Sequence, residues 1–313
     1  MKIISLIVPI FNEEISIIEF DKIIKKFALD FSNLKFDVIF IDGNSTDNST
    51  SIINNLSSSD LIQYSLIKLV GNFGKEAALL AGLRTCTGDA AIPLDVDLQD
   101  PIETIKDFYK LWLEGSNHIV AVRNDRSNDK FIYRIFTYIF YKLFKSISTV
   151  PLEPNAGDFR LIDREVINRI NQISENQLFM KGLYAWAEPD YKVINVKRLN
   201  RLHGVGKFNF FSNINNALSG ITSFSIAPIR IFSYISLIIF ILSFLYILFF
   251  IIIKYYVYGG IIAGYSSIIA SVIFFGSLNG LGIGLVGEYV GRTLLESKKR
   301  PQYIIKSESD KDN

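Results

Sequence analysis

Three carboxylates, Asp95, Asp97 and Asp100, lie within six positions in the stretch PLDVDLQDP, directly after the apolar pair Ala91-Ile92. A charged side chain is costly to bury unless it is paired or binds a cation. Asp95 and Asp97 at a strand end can present two carboxylates to one divalent ion. Mg²⁺ and Mn²⁺ prefer oxygen ligands and are commonly shared with substrate phosphates. The stretch could therefore hold Mg²⁺ or Mn²⁺ and neutralise a diphosphate, although two aspartates at this spacing also occur by chance in ordinary loops.

The elements that must position these carboxylates alternate between strand-like and helix-like runs up to about residue 125. The strand patterns cover residues 3–10, 36–42, 64–70, 89–97 and 118–124, and the helical patterns cover 13–30, 45–56, 75–86 and 101–114. This order predicts an α/β fold with a mostly parallel, doubly wound sheet. Such sheets bind ligands at the carboxyl ends of their strands. Asp42, Asn72 and the pair Asp95 and Asp97 all fall at predicted strand ends.

Composition excludes several classes of protein. The net charge of +2 gives no field that would attract nucleic acid, and the single cysteine, Cys86, excludes an internal disulfide. His118 and His203 are far apart in the sequence and indicate no zinc cluster. The first strand runs into VPIFNEE without a glycine, which argues against a dinucleotide-binding oxidoreductase.

The C-terminal third is strongly apolar. Residues 231–253 carry no charge over 23 positions, and residues 266–287 carry none over 22 more. Each run is long enough to cross a hydrocarbon layer of about 30 Å. Basic residues flank the pair on both outer sides, at Arg230 and at Arg292, Lys298, Lys299 and Arg300. The positive-inside rule then predicts a two-helix transmembrane hairpin with both ends in the cytoplasm. Two buried core helices are the less favoured alternative.

Two further segments have the pattern of amphipathic helices. Residues 130–147 repeat aromatic side chains at helical spacing with Lys and Arg between them, and residues 208–224 lead into the first apolar run. Basic amphipathic helices often lie in the membrane interface, although the first segment could also be a core helix. The predicted organisation is a cytosolic catalytic domain at 1–207, a juxtamembrane amphipathic segment at 208–230, two spans within 231–291, and a basic cytosolic tail at 292–313.

Further motifs accompany the acidic stretch. They are VPIFNEE in the first strand, DGNSTD after the second, NFGKEAALLAG at the third helix, GDFRLIDR at 157–164 and RLHGVGKF at 201–208. In this order, with two apolar segments behind them, they resemble family 2 glycosyltransferases of GT-A fold over nearly the whole chain. The closest resemblance is to polyprenyl-phosphate glycosyltransferases of the bactoprenol glucosyltransferase type, and dolichyl-phosphate mannose synthases are more distant.

The resemblance implies a role for each matching residue. It places the nucleotide sugar at Pro9, Asn12, Glu14, Asp42, Lys75, Asp95 and Gln99. It assigns the metal to Asp95 and Asp97, and catalysis to Asp158 with Asp97. It assigns the acceptor phosphate or the diphosphate to Arg123, Arg126, Arg160, Arg201 and Lys207. Two departures weaken individual roles: Gly43 replaces the family's second acid after Asp42, and Gly206 replaces the serine before Lys207.

Several of these residues also have ordinary structural interpretations. Asp42 could cap a turn or helix, because Asp favours such positions. Glu14 and Lys75 could be exposed charges near the start of a helix, and Arg160 could form a surface pair with Asp163. These alternatives stay open at the level of sequence.

The reaction that the resemblance implies is inverting transfer of a hexose, glucose before others, from a UDP-sugar to undecaprenyl phosphate. The product would form at the cytosolic face of a bacterial inner membrane, in a multi-pass homo-oligomer, with a tetramer and a downstream flippase as candidates. A phosphate acceptor has a second pKa near 6 and needs little help from a base, so Asp158 either takes a proton or positions the site.

Other sugars, including mannose from GDP-mannose, stay open, as does a non-catalytic membrane scaffold. A processive polysaccharide synthase is disfavoured, because neither Trp112 nor Trp186 follows an arginine.

Overall fold

The structure is a computed structural model that describes residues 1–31, 33–123, 141–142, 144, 146, 148, 150–175, 178–197, 225, 227, 229–239, 241–242, 245 and 264–306. The chain divides into two compact units. The first comprises Met1–Ser223 together with Arg300–Asn313, and the second comprises Phe224–Lys299.

The described part of the first unit contains strands and helices in alternation. The strands are β1 (Lys2–Ile10), β2 (Leu34–Asp42), β3 (Ile62–Lys68), β4 (Ala90–Pro93), β5 (His118–Arg123), β6 (Ala156–Asp163) and β7 (Lys192–Val196). The helices are α1 (Glu14–Ala28), α2 (Ser49–Asn54), α3 (Lys75–Thr85), α4 (Thr104–Leu113), α5 (Arg164–Asn171) and α6 (Met180–Ala187).

The strands form one sheet in the order β3-β2-β1-β4-β6-β5-β7. β1 pairs in parallel with β2 and β4, β2 with β3, and β5 with β7. The predicted α/β fold with a mostly parallel sheet is therefore confirmed. β6 runs antiparallel to both β4 and β5, a reversal that the sequence pattern did not predict.

The fourth strand is shorter than predicted. The pattern over 89–97 suggested one long strand, but β4 ends at Pro93. Proline has no N–H to continue a ladder, and Leu98 has a φ of +47°, a left-handed turn conformation. The acidic stretch is consequently a turn beyond the strand, so its carboxylates project from a loop.

Both faces of the central strand β1 are buried, which explains its continuous apolar run. On one face, α1 packs Ile17, Phe20 and Ile24 at helical spacing into a core that includes Leu6 and Phe40. This spacing is the periodicity that predicted the helix. These five side chains are completely buried, so α1 is fixed against the sheet.

On the other face of β1, α3 approaches very closely at Gly82. A Cβ built on Gly82 would lie 2.2 Å from Cγ2 of Ile7. We therefore expect Gly82→Ala to destabilise the fold by about 1–3 kcal/mol through overpacking. Gly71→Ala is the matched control, because no described atom lies within 4 Å of its added Cβ. Thermal unfolding midpoints of the two variants test this expectation; equal midpoints would contradict it.

The chain returns to the first unit after the second one. Residues 300–306 run beside the end of β3, where Val70 N donates to Ile304 O (3.0 Å) and Lys306 N donates to Lys68 O (2.8 Å). Gln302 accepts a hydrogen bond from Arg84 of α3 at 3.0 Å. Part of the predicted basic tail therefore packs on the sheet edge and on the helix that begins with Lys75.

The second unit contains the helix α7 (Tyr265–Ser297), and residues 229–239 are also helical. The predicted second span, 266–287, lies within α7. Among the residues that the structure describes, no helix combines the length and apolarity needed to cross a membrane. The predicted transmembrane hairpin is therefore not supported. Residues 240, 243–244 and 246–253 of the predicted first span lie outside the described residues, as do most of the predicted amphipathic segments 130–147 and 208–224.

Candidate active site

The carboxyl ends of β4 and β5 and the amino end of β6 meet at one edge of the sheet. β4 ends two residues before Asp95, and β5 ends at Arg123. Because β6 is antiparallel, its first residues, including Asp158, reach this same edge. A cavity of about 200 Å³ opens here, and its described charged lining consists of Lys75, Asp95, Asp100, Arg123, Asp158 and Lys181.

The ammonium group of Lys75 joins two carboxylates of the cavity. Its Nζ lies 2.6 Å from Oδ1 of Asp95 and 2.9 Å from Oδ2 of Asp158. Burial alone would lower the pKa of Lys75, but the charges of Asp158 and Asp95 outweigh it and raise the pKa above its ordinary value. Lys75 is therefore charged at neutral pH. It is not the solitary solvated charge that the sequence left as an alternative.

The Asp158 carboxylate is held in its ionised form. Burial would raise the pKa of this carboxyl, but the nearby charges of Lys75, Lys181 and Arg160 hold the pKa well below its usual range. A carboxylate with a strongly lowered pKa is a weak proton acceptor at neutral pH. Together with the 2.9 Å ion pair to Lys75, the lowered pKa is consistent with a carboxylate that positions Lys75.

A second ion pair lines the cavity on the β5 side. Nη2 of Arg123 lies 3.4 Å from Oδ1 of Asp100, and the Asp100 side chain is only 7% exposed. The third carboxylate of the acidic stretch is thus paired with an arginine of the protein. The Arg123 side chain keeps 26% of its surface exposed, so it can still contact a ligand.

The donor atoms near the end of β4 suit a divalent cation. Asp95 lines the cavity and Asp97 is half-buried two residues further on. Within the described residues no group of three or more His, Cys, Asp or Glu side chains is arranged to hold a metal. Two carboxylates would leave coordination positions for phosphate oxygens, as is usual for Mg²⁺. Gln99 is buried beside them, and its backbone N–H donates to Oδ1 of Asp97 at 3.3 Å.

Asp42 and Pro9 belong to the framework beside the cavity. Asp42 is buried at the end of β2, and its carboxylate accepts hydrogen bonds from Ser45 Oγ (2.6 Å) and Thr50 Oγ1 (3.2 Å). This turn-capping use is the structural alternative that the sequence had left open. Pro9 is half-buried in β1, opposite Ile41 of β2.

Asn12 and Glu14 tie the loop after β1 to the loop after β2. Asn12 Oδ1 accepts from Thr46 N at 2.8 Å, and Asn12 N donates to Ser45 Oγ at 2.9 Å. Glu14 Oε2 accepts from Asn48 N at 3.2 Å. The two predicted nucleotide motifs therefore form one hydrogen-bonded surface, although neither of these side chains lies in the described lining of the cavity.

Arg160 lies beneath the cavity and is only 3% exposed, so it is not in a surface pair with Asp163. Its Nη2 donates to Gly157 O at 2.6 Å, Nη1 lies 3.2 Å from His118 Nε2, and the guanidinium stacks 4.2 Å from the Tyr184 ring. Burial, together with the Arg160 charge, lowers the pKa of His118 to about 3. The neutral imidazole can accept a hydrogen bond from Arg160. Arg160 is not in the described lining of the 200 Å³ cavity.

Three of the predicted phosphate-binding residues, Arg126, Arg201 and Lys207, lie outside the described residues.

Lys181 and Glu76 are prominent in the structure, but the sequence analysis did not single them out. Lys181 lines the cavity near the start of α6. Glu76 Oε2 accepts from the backbone N–H of Met180 at 2.9 Å and so joins the first turns of α3 and α6. In the sequence, only the neighbouring Lys75 could have indicated that Glu76 lies near the site. Nothing in the helix sequence MKGLYAWA predicts that Lys181 lines the cavity.

Glu76→Gln is expected to change how stability depends on pH. Burial raises the pKa of Glu76 from 4.5 to about 7, with a contribution from Asp158 and opposition from the Met180 N–H. A raised carboxyl pKa favours folding while the group is protonated, so this stability is lost as the pH rises from about 4.5 to about 7. The unfolding midpoint of Glu76→Gln should fall less than that of wild type over this interval. Parallel curves for both proteins would contradict the assignment, and Glu114→Gln on the surface is the control.

Comparison with known proteins identifies the family. Residues 5–170 match Glycosyl transferase family 2. The chain is 45% identical over 308 residues to the bactoprenol glucosyl transferase of Shigella phage SfV, covering 98% of this chain and 99% of that one. It is 44% identical over 303 residues to a prophage bactoprenol glucosyl transferase homolog of Escherichia coli K12, covering 97% and 98%.

Among solved structures, the chain resembles the glucosyl-3-phosphoglycerate synthase of Mycobacterium tuberculosis, with a TM-score of 0.44 and 16% identity over 71% of this chain and 78% of that one. The family match covers most of β1, all of β2 to β6, the acidic stretch and Asp158. The chain therefore belongs to glycosyltransferase family 2 and is a glycosyltransferase of mixed α/β fold, homologous over nearly its full length to bactoprenol glucosyl transferases.

Proposed function

We propose that the protein transfers glucose from UDP-glucose to a polyprenyl phosphate with inversion at the anomeric carbon. The observation that carries the proposal is Lys75 bridging Asp95 and Asp158 in a cavity that also contains Arg123 and Lys181. This arrangement suits the transfer of a sugar between two phosphate groups. The names of the two bactoprenol glucosyl transferase relatives support glucose as the sugar and a polyprenyl phosphate as the acceptor.

In the proposed reaction, a phosphate oxygen of the acceptor forms a bond to the anomeric carbon of glucose. The bond from that carbon to the β-phosphate oxygen of UDP breaks, and UDP leaves with the electron pair. The acceptor phosphate has a second pKa of about 6 and is largely dianionic at pH 7. It therefore needs no base, which agrees with the low pKa of Asp158.

The main electrostatic obstacle is repulsion between an anionic acceptor and an anionic donor. Arg123 and Lys181 place positive charge on the β5 and α6 side of the cavity, where it offsets that repulsion. Lys75, held by Asp158, adds a cation beside Asp95. Asp95 and Asp97 would hold Mg²⁺ or Mn²⁺, which when bound neutralises charge on the leaving diphosphate.

We propose that the second unit associates with the bilayer that contains the lipid acceptor. Large apolar side chains of α7 are strongly exposed, including Val272 (67%), Leu281 (69%) and Ile283 (74%). Exposed apolar surface of this extent is typical of membrane or protein contacts. The bacterial cytoplasmic membrane is the proposed location, which the names of the bactoprenol glucosyl transferase relatives support. A homo-oligomer and a flippase partner stay predictions from the sequence.

The donor is tested by a panel of radiolabelled nucleotide sugars, each incubated with purified protein, undecaprenyl phosphate and Mg²⁺ or Mn²⁺ in detergent. We expect lipid-extractable label from UDP-glucose in preference to UDP-galactose, UDP-N-acetylglucosamine and GDP-mannose. A preference for another donor would keep the chemistry but reject glucose. Absence of label with every donor would reject the proposed transfer and favour a non-catalytic scaffold.

A further inference from the structure

Among the described residues that line the cavity, Lys181 is the cation without a carboxylate partner. Lys75 is paired with Asp95 and Asp158, and Arg123 is paired with Asp100. Across the part of the chain that the structure describes, no carboxylate oxygen lies within 4.0 Å of the Lys181 ammonium. Lys181 is half-buried, and a charge that is partly withdrawn from water is normally paired or used for binding, so this cation is suited to an anionic ligand.

The fold holds Lys181 in place at the cavity. It is the second residue of α6, and the preceding residue, Met180, donates its backbone N–H to Glu76 at 2.9 Å. That hydrogen bond fixes the first turn of α6 beside the first turn of α3, where Lys75 begins the helix. Lys181 is thus positioned by backbone contacts and not by an ion pair, which leaves its charge available.

The electrostatic surroundings of Lys181 suit an anionic ligand. Burial lowers the pKa of Lys181, the positive charges of Arg160, Arg123 and Lys75 lower it further, and Asp158 alone opposes them. A bound phosphate would supply the negative charge that offsets this clustering of cations.

The position of Lys181 in the sheet order indicates which phosphate it would meet. Of the predicted nucleotide residues, Asn12 follows β1 and Asp42 ends β2, both on one side of β4 and Asp95. Arg123 and Lys181 lie on the opposite side, at β5 and α6. A donor whose nucleotide lies over β1 and β2, with its diphosphate at Asp95, leaves the β5 side for the acceptor.

Lys181 also lines a second cavity with Arg160 and His118, but that cavity measures only about 20 Å³. A space of this size holds about one water molecule. It is too small for a phosphate group, so an anionic ligand of Lys181 belongs in the 200 Å³ cavity.

We propose that Lys181 binds the phosphate group of the lipid acceptor, an inference that rests on the transfer reaction proposed above. The ligand is recognised by its phosphate monoester charge, with Arg123 as a second contact. The lipid chain has no part in this interaction.

The test is a binding measurement without turnover. Dissociation constants are measured in detergent for undecaprenyl phosphate, for the uncharged alcohol undecaprenol, and for UDP with Mn²⁺. The proteins are wild type, Lys181→Met, Lys181→Arg and the control Lys110→Met, an exposed lysine on α4. We expect Lys181→Met to weaken binding of undecaprenyl phosphate by about 10- to 100-fold, as loss of a charged hydrogen bond does.

Binding of UDP should change by less than about 2-fold in Lys181→Met, which also shows that the variant is folded. Lys181→Arg should restore most of the affinity, and undecaprenol should bind all four proteins alike. Unchanged affinity for undecaprenyl phosphate in Lys181→Met, or no phosphate-dependent binding by wild type, would overturn the proposal. If Lys181→Met weakened the binding of UDP but not that of undecaprenyl phosphate, the proposal would be overturned, and Lys181 would instead contact the diphosphate of the donor. Failure of glucose transfer with lipid-phosphate binding intact would instead contradict the proposed function.

Discussion

Asp95→Asn is expected to lower kcat/KM for glucose transfer by about 10³-fold, because a metal contributes several kcal/mol of charge stabilisation in such reactions. The substitution removes one proposed metal ligand and also the 2.6 Å ion pair with Lys75. Asp97→Asn should have a similar effect on transfer, although the ion pairs of Lys75 are with Asp95 and Asp158. Steady-state rates with saturating acceptor measure both effects.

Direct binding of Mn²⁺ separates the metal from other causes of lost activity. Electron paramagnetic resonance of the substrate-free protein should show weaker Mn²⁺ binding in both variants. The control is Asp107→Asn, an exposed acid on α4, which should bind Mn²⁺ like wild type. Wild-type affinity in Asp95→Asn and Asp97→Asn would show that these carboxylates do not hold the ion.

The second large effect is expected for Asp158→Asn, with a loss of about 10²-fold in kcat. The reason is positional: the Asp158 carboxylate holds Lys75 at 2.9 Å, and misplacing a cation in the cavity loses stabilisation of that order. If Asp158 acts through Lys75, then Lys75→Met should cost about as much, and the double variant should cost little more than either. Lys110→Met is the control for removing a lysine.

The pH dependence distinguishes this role from general base catalysis. The pKa of Asp158 is lowered, so its carboxylate is already ionised at neutral pH and titrates only at more acidic pH. An acid limb of kcat/KM near pH 6 should instead come from the acceptor phosphate, whose second pKa is about 6. That limb should persist in Asp158→Asn. A limb that disappears in Asp158→Asn, with additive losses in the double variant, would identify Asp158 as a base.

The local sequence pattern was sufficient to predict those strands and helices whose apolar residues recur with a clear period. The run IISLIVPI and the spacing of Ile17, Phe20 and Ile24 predicted β1 and α1, because burial imposes periods of two or 3.6 residues on strands and helices. The acidic stretch was predicted within the end of the fourth strand and lies in the turn directly beyond β4, at the edge where parallel strands collect their carboxyl ends. The resemblance to a known family then pointed to Asp158.

The remaining features of the sheet and of the site depend on contacts between residues distant in the sequence, which no local pattern predicts. β6 inserts between β4 and β5 in the opposite direction, and only this reversal brings Asp158 to Lys75. Asp42 stays a prediction at the nucleotide, and the hydrogen bonds that its carboxylate accepts from Ser45 and Thr50 were not encoded in the strand pattern. Lys181 lies in a mostly apolar helix whose sequence carries no site motif. It lines the cavity where the backbone N–H of Met180 donates a hydrogen bond to Glu76.

The central claim is that the cavity around Asp95 and Asp158 transfers glucose to a polyprenyl phosphate. The most direct measurement counts lipid-extractable label after purified protein is incubated with radiolabelled UDP-glucose, undecaprenyl phosphate and Mg²⁺, beside Asp97→Asn of equal folded content. We predict a time-dependent product in wild type that is absent from the variant and from a reaction with undecaprenol. No labelled lipid in wild type, or equal label in the variant, would contradict the claim.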